Sequence, residues 1–372
     1  MAGRPTRAEI SLANIRFNFD QVQRLVGPEV ARGAVVKADA YGHGAVEVAR
    51  ALAGAGAAWL CVALPEEGVQ LREAGLDLPI LCLGGFWGEQ AGLVLDHDLT
   101  PELYRTDLCE RLDVEAARRG AKARIHVKVD TGMGRLGVPA GELPRFLDAI
   151  ARLRHLEVDG LMTHLASADV PALAEFTKRQ VERFYDALGL LERRGIEPRW
   201  RHLANGAGLH AYPEARGNLV RPGAMLYGLK ADVLNPEGPE VELRPGMKLV
   251  SSVEQLKTVP AGTPLGYGCT YVTERESVIA TLPAGYADGV RRALSSAGEV
   301  TVRGRRAPIV GRVSMDLTMV DVTGVEGVAL EDDVVFFGDG DITAEEVAGV
   351  AGTISYEICC GVSARVPRVY VD

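Results

Sequence analysis

Between residues 33 and 228 short apolar runs recur eight times, each followed by a longer stretch with helical spacing, and few folds accommodate that rhythm. The runs are GAVVKA near 33–38, AWLCVA at 58–63, PILCLG at 79–84, DLTPELY at 98–104, ARIHVKVD at 123–130, EVDGLMTH at 157–164, RWRHLAN at 199–205 and NLVRPGAMLYG at 218–228. Runs of this length suit strands buried on both faces. DLTPELY is the weakest of them. The intervening segments read as helices. In LAEFTKRQVERFYDALGLLERRG, Val181, Phe184, Leu188 and Leu191 fall at three- and four-residue spacing and Gly195 supplies a stop. Eight strand–helix repeats predict an α/β fold, a parallel (β/α)8 TIM-like barrel rather than an open sheet.

Beyond about residue 240 the pattern changes. LVSSVEQLKTV, SVIATLP, EVTVRG, APIVGRV, LTMVDV and DVVFFG are short, β-branched and punctuated by Gly, Pro and Asp, which reads as a mostly-β second domain. Thr343 and Glu346 form a capping-box pattern for one helix within it. LKADVLNPEGPEVELRPGMK reads as the linker. The predicted domains are therefore 1–240 and 241–372. A chain of 372 residues is in any case too long for one ordinary core.

Charge and composition exclude several classes of function. A net charge of -9 argues against nucleic-acid binding, which wants a basic face. No run reaches the ~20 apolar residues that span a bilayer, and MAGRPTRAEISLANIRFNFD lacks the apolar centre of a signal peptide. The six cysteines form no CxxC pair and sit in or beside apolar runs, as reduced thiols of a cytoplasmic protein do. No HExxH or HxxxH zinc pattern occurs among the seven histidines, so no metal is expected.

A barrel of this kind carries its chemistry at the C-terminal ends of its strands. There the sequence places Lys37, Asp130 with Lys128 just before it, His164, Asn205 and Arg221. GMGRLG (132–137) matches a dinucleotide fingerprint, but Pro139 interrupts the helix that should follow, and the next strand ends in Thr163 and His164. Its glycines read instead as a tight loop that aims Arg135 inward. A lysine at a barrel rim can form a Schiff base with a carbonyl such as that of pyridoxal phosphate. ANGAG (204–208) and RPGAMLYG (221–228) then offer backbone close enough to hold the phosphate, on the loops after strands seven and eight.

With these features in place, VVKADAYGHG, VKVDTGMGRLG, HLANGAG, LVRPGAMLYG, LGYGCTY, LPAGYADG, PIVGRVSMD, ISYE and RVPRVY resemble the motifs of the alanine racemase family, in family order from Lys37 to Tyr370. The resemblance implies a pyridoxal 5'-phosphate enzyme that interconverts L- and D-alanine with two bases, one on each face of the α-carbon, and supplies D-alanine for peptidoglycan. It makes Lys37 the Schiff-base lysine and one base, and Tyr267, from the β domain of a partner subunit in a homodimer, the other. It also implies that Tyr41, Asn205, Gly206, Gly223, Ala224 and Tyr356 hold the cofactor. Arg221 would face the pyridine nitrogen, and His164 would link Tyr267 to Arg221 and spread positive charge toward the phenol. Arg135 would take the substrate carboxylate, while the partner's Met315, Asp316 and Tyr286 line the approach to it. Lys128 corresponds to a lysine that many members carry carbamylated; the plainer alternative is an ion pair with Asp130. Gly206 stands where a serine often donates to the phosphate, a difference of about 1 kcal/mol. Ser314 replaces a frequent cysteine, and Ala224 a branched residue. A fold-related decarboxylase would want an acid at the pyridine nitrogen, against which Arg221 and LGYGCTY speak. A serine or broad-specificity racemase differs by too few pocket atoms to separate by sequence.

Overall fold

The computed structural model describes residues 4–338 and 340–372. Strand β1 (Arg7–Ser11) precedes helix α1 (Leu12–Val26), whose N-terminus is capped by Ser11 Oγ accepting from the Asn14 amide at 3.1 Å. The helix buries Ile15, Phe19, Val22 and Val26, one stripe at helical spacing. Then follow β2 (Ala31–Val35), β3 (Trp59–Val62), β4 (Ile80–Cys82), β5 (Leu99–Leu103), β6 (Ala123–Asp130), β7 (Leu156–Met162), β8 (Trp200–His202) and β9 (Leu219–Val220). All eight strands from β2 to β9 pair in parallel, in the order β9-β2-β3-β4-β5-β6-β7-β8. Backbone hydrogen bonds from the Asn218 amide to the Arg201 carbonyl (3.0 Å) and from the Arg221 amide to the Ala204 carbonyl (3.1 Å) bridge β9 to β8 and nearly close the barrel. Every run expected as a barrel strand supplies one, including DLTPELY, whose five strand residues are all buried.

The second region is a six-stranded sheet, a three-stranded sheet and a short hairpin. In the larger sheet β1 lies between Met247–Ser252, antiparallel, and Arg368–Val371, parallel. The first strand therefore belongs to this sheet, although the sequence groups residues 1–240 together. RAEIS alternates strictly, with Ala8 and Ile10 fully buried, the pattern of a strand with one face in a core. The chain threads this sheet with its first strand and its last, so the barrel and the β region share one continuous hydrophobic core. The predicted cap is present: Thr343 Oγ1 accepts from the Glu346 amide at 3.1 Å, opening a helix over Ala344–Ala351.

Candidate active site

The C-terminal ends of the barrel strands surround a cavity of about 680 Å³, lined among others by Lys37, Tyr41, Lys128, Arg135, His164, Asn205, Gly206, Arg221, Gly223, Ala224 and Tyr356. Asp130 apart, every barrel residue singled out in the sequence for binding or catalysis lines it, together with Tyr356 from the β region. Its size lies in the usual range for small-molecule sites.

Lys37 opens an unusual turn. Ala38, Asp39, Ala40 and Tyr41 all have φ of 52–55° with ψ of 37–50°, a left-handed helical turn built of four non-glycine residues. Each costs roughly 1–2 kcal/mol relative to the right-handed form, so the surroundings must hold the turn in place. Glu67 Oε1 accepts from the Ala38 amide at 2.6 Å, and its Oε2 accepts from the Ala63 amide at 2.6 Å. Asp39 Oδ1 accepts from the Ala45 amide at 2.7 Å. His43 Nδ1 lies 3.0 Å from the carbonyls of both Ala40 and Tyr41, and Arg368 Nε donates to the Gly42 carbonyl at 3.0 Å. The turn fixes Lys37 at one wall of the cavity. Burial, and then the nearby Arg135 charge, lower the Lys37 pKa, which raises the share of neutral, nucleophilic amine.

Tyr41, the last residue of the turn, stacks on Tyr227 at 4.8 Å between centroids and lies 5.8 Å from the Tyr356 ring. Burial raises the Tyr41 pKa and pushes that of Tyr356 up to about 12, so both phenols stay protonated and can donate. Two helix starts face the same corner. Gly206 and Ala207 open a helix over Gly206–Ala211, capped by Asn205, and Ala224 opens a 3-10 turn after Gly223. Amides at helix starts have no intrahelical acceptor. A Cβ on Gly223 would come 2.5 Å from the Tyr41 hydroxyl, so only glycine leaves this corner open. Paired phenols, free amides and an open corner suit a phosphate, and the amine of Lys37 across the cavity suits a carbonyl. The residues present thus fit pyridoxal phosphate.

Arg221 is buried inside the barrel mouth. One terminal nitrogen is 2.6 Å from His202 Nδ1, and the other donates to the carbonyls of Thr163 (2.7 Å) and Leu203 (3.1 Å). Burial brings its pKa down to about 10, so it remains a cation at neutral pH and gives up no proton there. Burial, followed by the Arg221 charge, holds His202 well below its ordinary pKa. A neutral His202 accepting at Nδ1 carries its proton on Nε2, which lies 2.8 Å from His126 Nδ1. The His126 Nε2 proton then points toward Asp159, at 3.9 Å. The expected link from His164 to Arg221 is not made within the chain. The ring on Arg221 is that of His202, and His164 Nε2 has Asn205 Nδ2 at 3.5 Å.

One further expectation is corrected. Lys128 does not pair with Asp130; its Nζ donates to Glu102 Oε1 at 2.6 Å. Asp130 instead accepts from the amides of Gly132 (2.9 Å) and Gly134 (3.1 Å), shaping the glycine loop that presents Arg135. Alternation puts Lys128 and Asp130 on one face of the strand, but the loop amides take up the Asp130 carboxylate and the neighbouring strand brings Glu102 against Lys128 inside the barrel. Tyr267, Tyr286, Met315 and Asp316 do not line the cavity of their own chain. They sit together on the β region, where the Tyr286 amide donates to the Ser314 carbonyl at 3.0 Å, and Tyr267 is 72% exposed. Glu102, His126, His202 and Tyr227 were missed by sequence reasoning. His126 and Lys128 stand two apart on one strand and so share its inward face, a signal that was available for His126.

Comparison with known proteins agrees with this geometry. The family descriptions "Alanine racemase, N-terminal domain" and "Alanine racemase, C-terminal domain" match residues 10–231 and 246–370. The chain is 47% identical to an alanine racemase of Symbiobacterium thermophilum over 375 residues, covering 99% of this chain and 97% of the relative. It is 45% identical to one from Halothermothrix orenii over 372 residues, with the same coverage. The solved alanine racemase of Clostridium difficile 630 superposes with a TM-score of 0.95 at 36% identity, covering 100% of this chain and 97% of that one.

Proposed function

Because this chain belongs to the alanine racemase family, we propose that its cavity is one half of a two-base site whose other half, centred on Tyr267, comes from a second copy of the chain. The activity is the interconversion of L- and D-alanine, and the family depends on pyridoxal 5'-phosphate. The observation that carries the proposal is the contrast between the two predicted bases. Lys37 stands in the cavity, whereas Tyr267 projects from the surface of its own chain.

When bound, pyridoxal phosphate lowers the acidity barrier at the substrate α-carbon by taking up the electron pair left behind. Lys37 holds the carbonyl end of the cofactor and faces the α-carbon from one side. Tyr41, Tyr356 and the amides of Gly206, Gly223 and Ala224 hold the phosphate, with Asn205 fixing the helix start and His164 beside it. Arg221, fixed by His202, has two N–H groups not taken up by His202, Thr163 and Leu203; one would donate to the ring nitrogen while keeping its proton, which would limit how much charge the ring accepts. Arg135 lines the cavity and is exposed, a guanidinium available for the substrate carboxylate. Tyr267 of the second copy serves the opposite face of the α-carbon, with Met315, Asp316 and Tyr286 beside it on the approach. Residues 1–240, with Tyr356 added from the β region, act as the cofactor-binding unit, and the Tyr267 face of 241–372 completes the neighbouring site.

The β-region surface supports such a pairing. Tyr267, Val272, Tyr286, Met315 and Leu317 are all large apolar side chains left exposed there, on three adjoining loops, as at an association face. A cytoplasmic setting accords with six unpaired cysteines among the described residues. No described helix is long and apolar enough to cross a membrane. Supply of D-alanine for peptidoglycan is the role this reading favours.

The test is Tyr267→Phe assayed in deuterated water. Exchange of the α-proton of L-alanine should fall about 100-fold or more, the usual scale for a lost general base, while cofactor absorbance persists. Unchanged turnover would remove Tyr267 from the chemistry.

A further inference from the structure

Beneath the cavity lies an acid that the two-base reading does not use. Glu102, on β5, is fully buried, and the neighbouring strand β6 brings Lys128 against it with Nζ 2.6 Å from Oε1. Its other oxygen, Oε2, has no hydrogen-bond partner among the described residues. Lys128 lines the cavity, and Glu102 stands behind it. Two further cations, Arg135 and Arg221, are close enough to favour the charged form of Glu102. Without Glu102, the Lys128 ammonium would share the cavity floor with both guanidinium groups, uncompensated.

We propose that Glu102 is a positioning residue of the substrate subsite: its carboxylate occupies the Lys128 amine, keeps that amine free of carbamylation, and offsets its charge so that Arg135 is available to a substrate carboxylate. The proposal rests on the reading of Arg135 given above. Carbamylation requires the lone pair of an unprotonated amine to attack CO2. A C–N bond forms, one C=O electron pair moves to oxygen, and the nitrogen releases a proton to water. Nζ instead shares its proton with Oε1, and a carbamate formed there would set a second anion against Glu102 in a buried space, a like-charge pair that proteins avoid. Burial acts on both partners, raising the Glu102 pKa to about 7 and lowering that of Lys128. Each is thereby pushed toward a pair that shares one proton and carries no net charge. Glu102 and a carbamate on Lys128 are therefore alternatives.

The holoenzyme equilibrated with 13C-bicarbonate should show no carbamate resonance by NMR, and its activity should be the same with and without CO2. Glu102→Gln, loaded with cofactor as judged by absorbance, should acquire the resonance. In CO2-depleted buffer its KM for L-alanine should rise about tenfold, the scale on which supporting carboxylates act, with kcat changed far less. Bicarbonate should bring the KM back down, and Glu102→Asp should restore it in part. A resonance in the wild type, a resonance in neither protein, or an unchanged KM in Glu102→Gln overturns the proposal. Arg135→Lys separates the two readings. An unchanged KM in that variant overturns the assignment of Arg135, whereas the NMR comparison still decides whether Glu102 keeps Lys128 unmodified.

Discussion

His43 sits fully buried beneath the left-handed turn, with Nδ1 shared between two of its carbonyls and Nε2 without a partner among the described residues. Only the neutral ring, protonated at Nδ1, suits that setting, and burial holds its pKa down to about 4 from an ordinary 6.5. Above pH 6.5 the ring is neutral in the folded and the unfolded chain, and its contribution to stability is complete. Between 6.5 and 4 the unfolded chain takes up a proton that the folded chain refuses, so stability falls as pH falls. The difference amounts to roughly 3 kcal/mol at the acid end. His126, His164 and His202 are also held low and add to the same trend, so the test must isolate His43. His43→Asn keeps a donor for the carbonyls and does not titrate. In urea unfolding at a series of pH values it should start less stable at pH 7 and lose less stability down to pH 4.5 than the wild type. Parallel curves would show that His43 does not couple the turn to protons.

The short elements that form the phosphate corner make opposite predictions for two glycines. A Cβ on Gly223 meets the Tyr41 hydroxyl at 2.5 Å, whereas a Cβ on Gly206 meets only the Met225 side chain, at 3.2 Å from Cγ. Methionine adapts readily to such pressure. Gly206→Ser should therefore tighten pyridoxal phosphate binding by about fivefold, the worth of one added hydrogen bond, while Gly223→Ala weakens it by displacing Tyr41. Titration of the apoprotein with cofactor, read by absorbance, checks both. These elements also show where sequence stops being informative. Strand periodicity placed all eight barrel runs, because burial on both faces leaves a plain apolar signal. DLTPELY looked weak because Glu102 is an acid in a core strand, and that makes sense only once Lys128 stands beside it from the next strand. The turn after Lys37 was not legible. Ala38, Asp39, Ala40 and Tyr41 have no local preference for a left-handed helix, and the contacts that hold it come from Glu67 and from Arg368, more than 300 positions away.

At the scale of the whole molecule, the residues split into those that converge within the chain and those that do not, and this split decides what an assembly must supply. Lys37 and its cofactor-binding neighbours meet because strand order brings them to one barrel rim, which is why sequence reasoning could group them. Tyr267, Tyr286, Met315 and Asp316 form a second group on the β region, and none of the four lines the cavity of its own chain. Only the family motifs suggested that they work together. Mixing two inactive chains tests the pairing. Lys37→Ala leaves an intact Tyr267 to donate, and Tyr267→Phe leaves an intact Lys37 to receive it. If sites are shared, a hybrid dimer carries one doubly defective site and one intact site. Random exchange of equal amounts makes half of the dimers hybrid, so about a quarter of all sites, and about a quarter of wild-type activity, should return. If each chain instead folds its own Tyr267 over its own Lys37, every site keeps one defect whatever the mixture. Activity would then stay at the mean of the two parents. Differently tagged chains, separated after mixing to prove that exchange took place, distinguish these outcomes, and activity should follow the hybrid fraction alone.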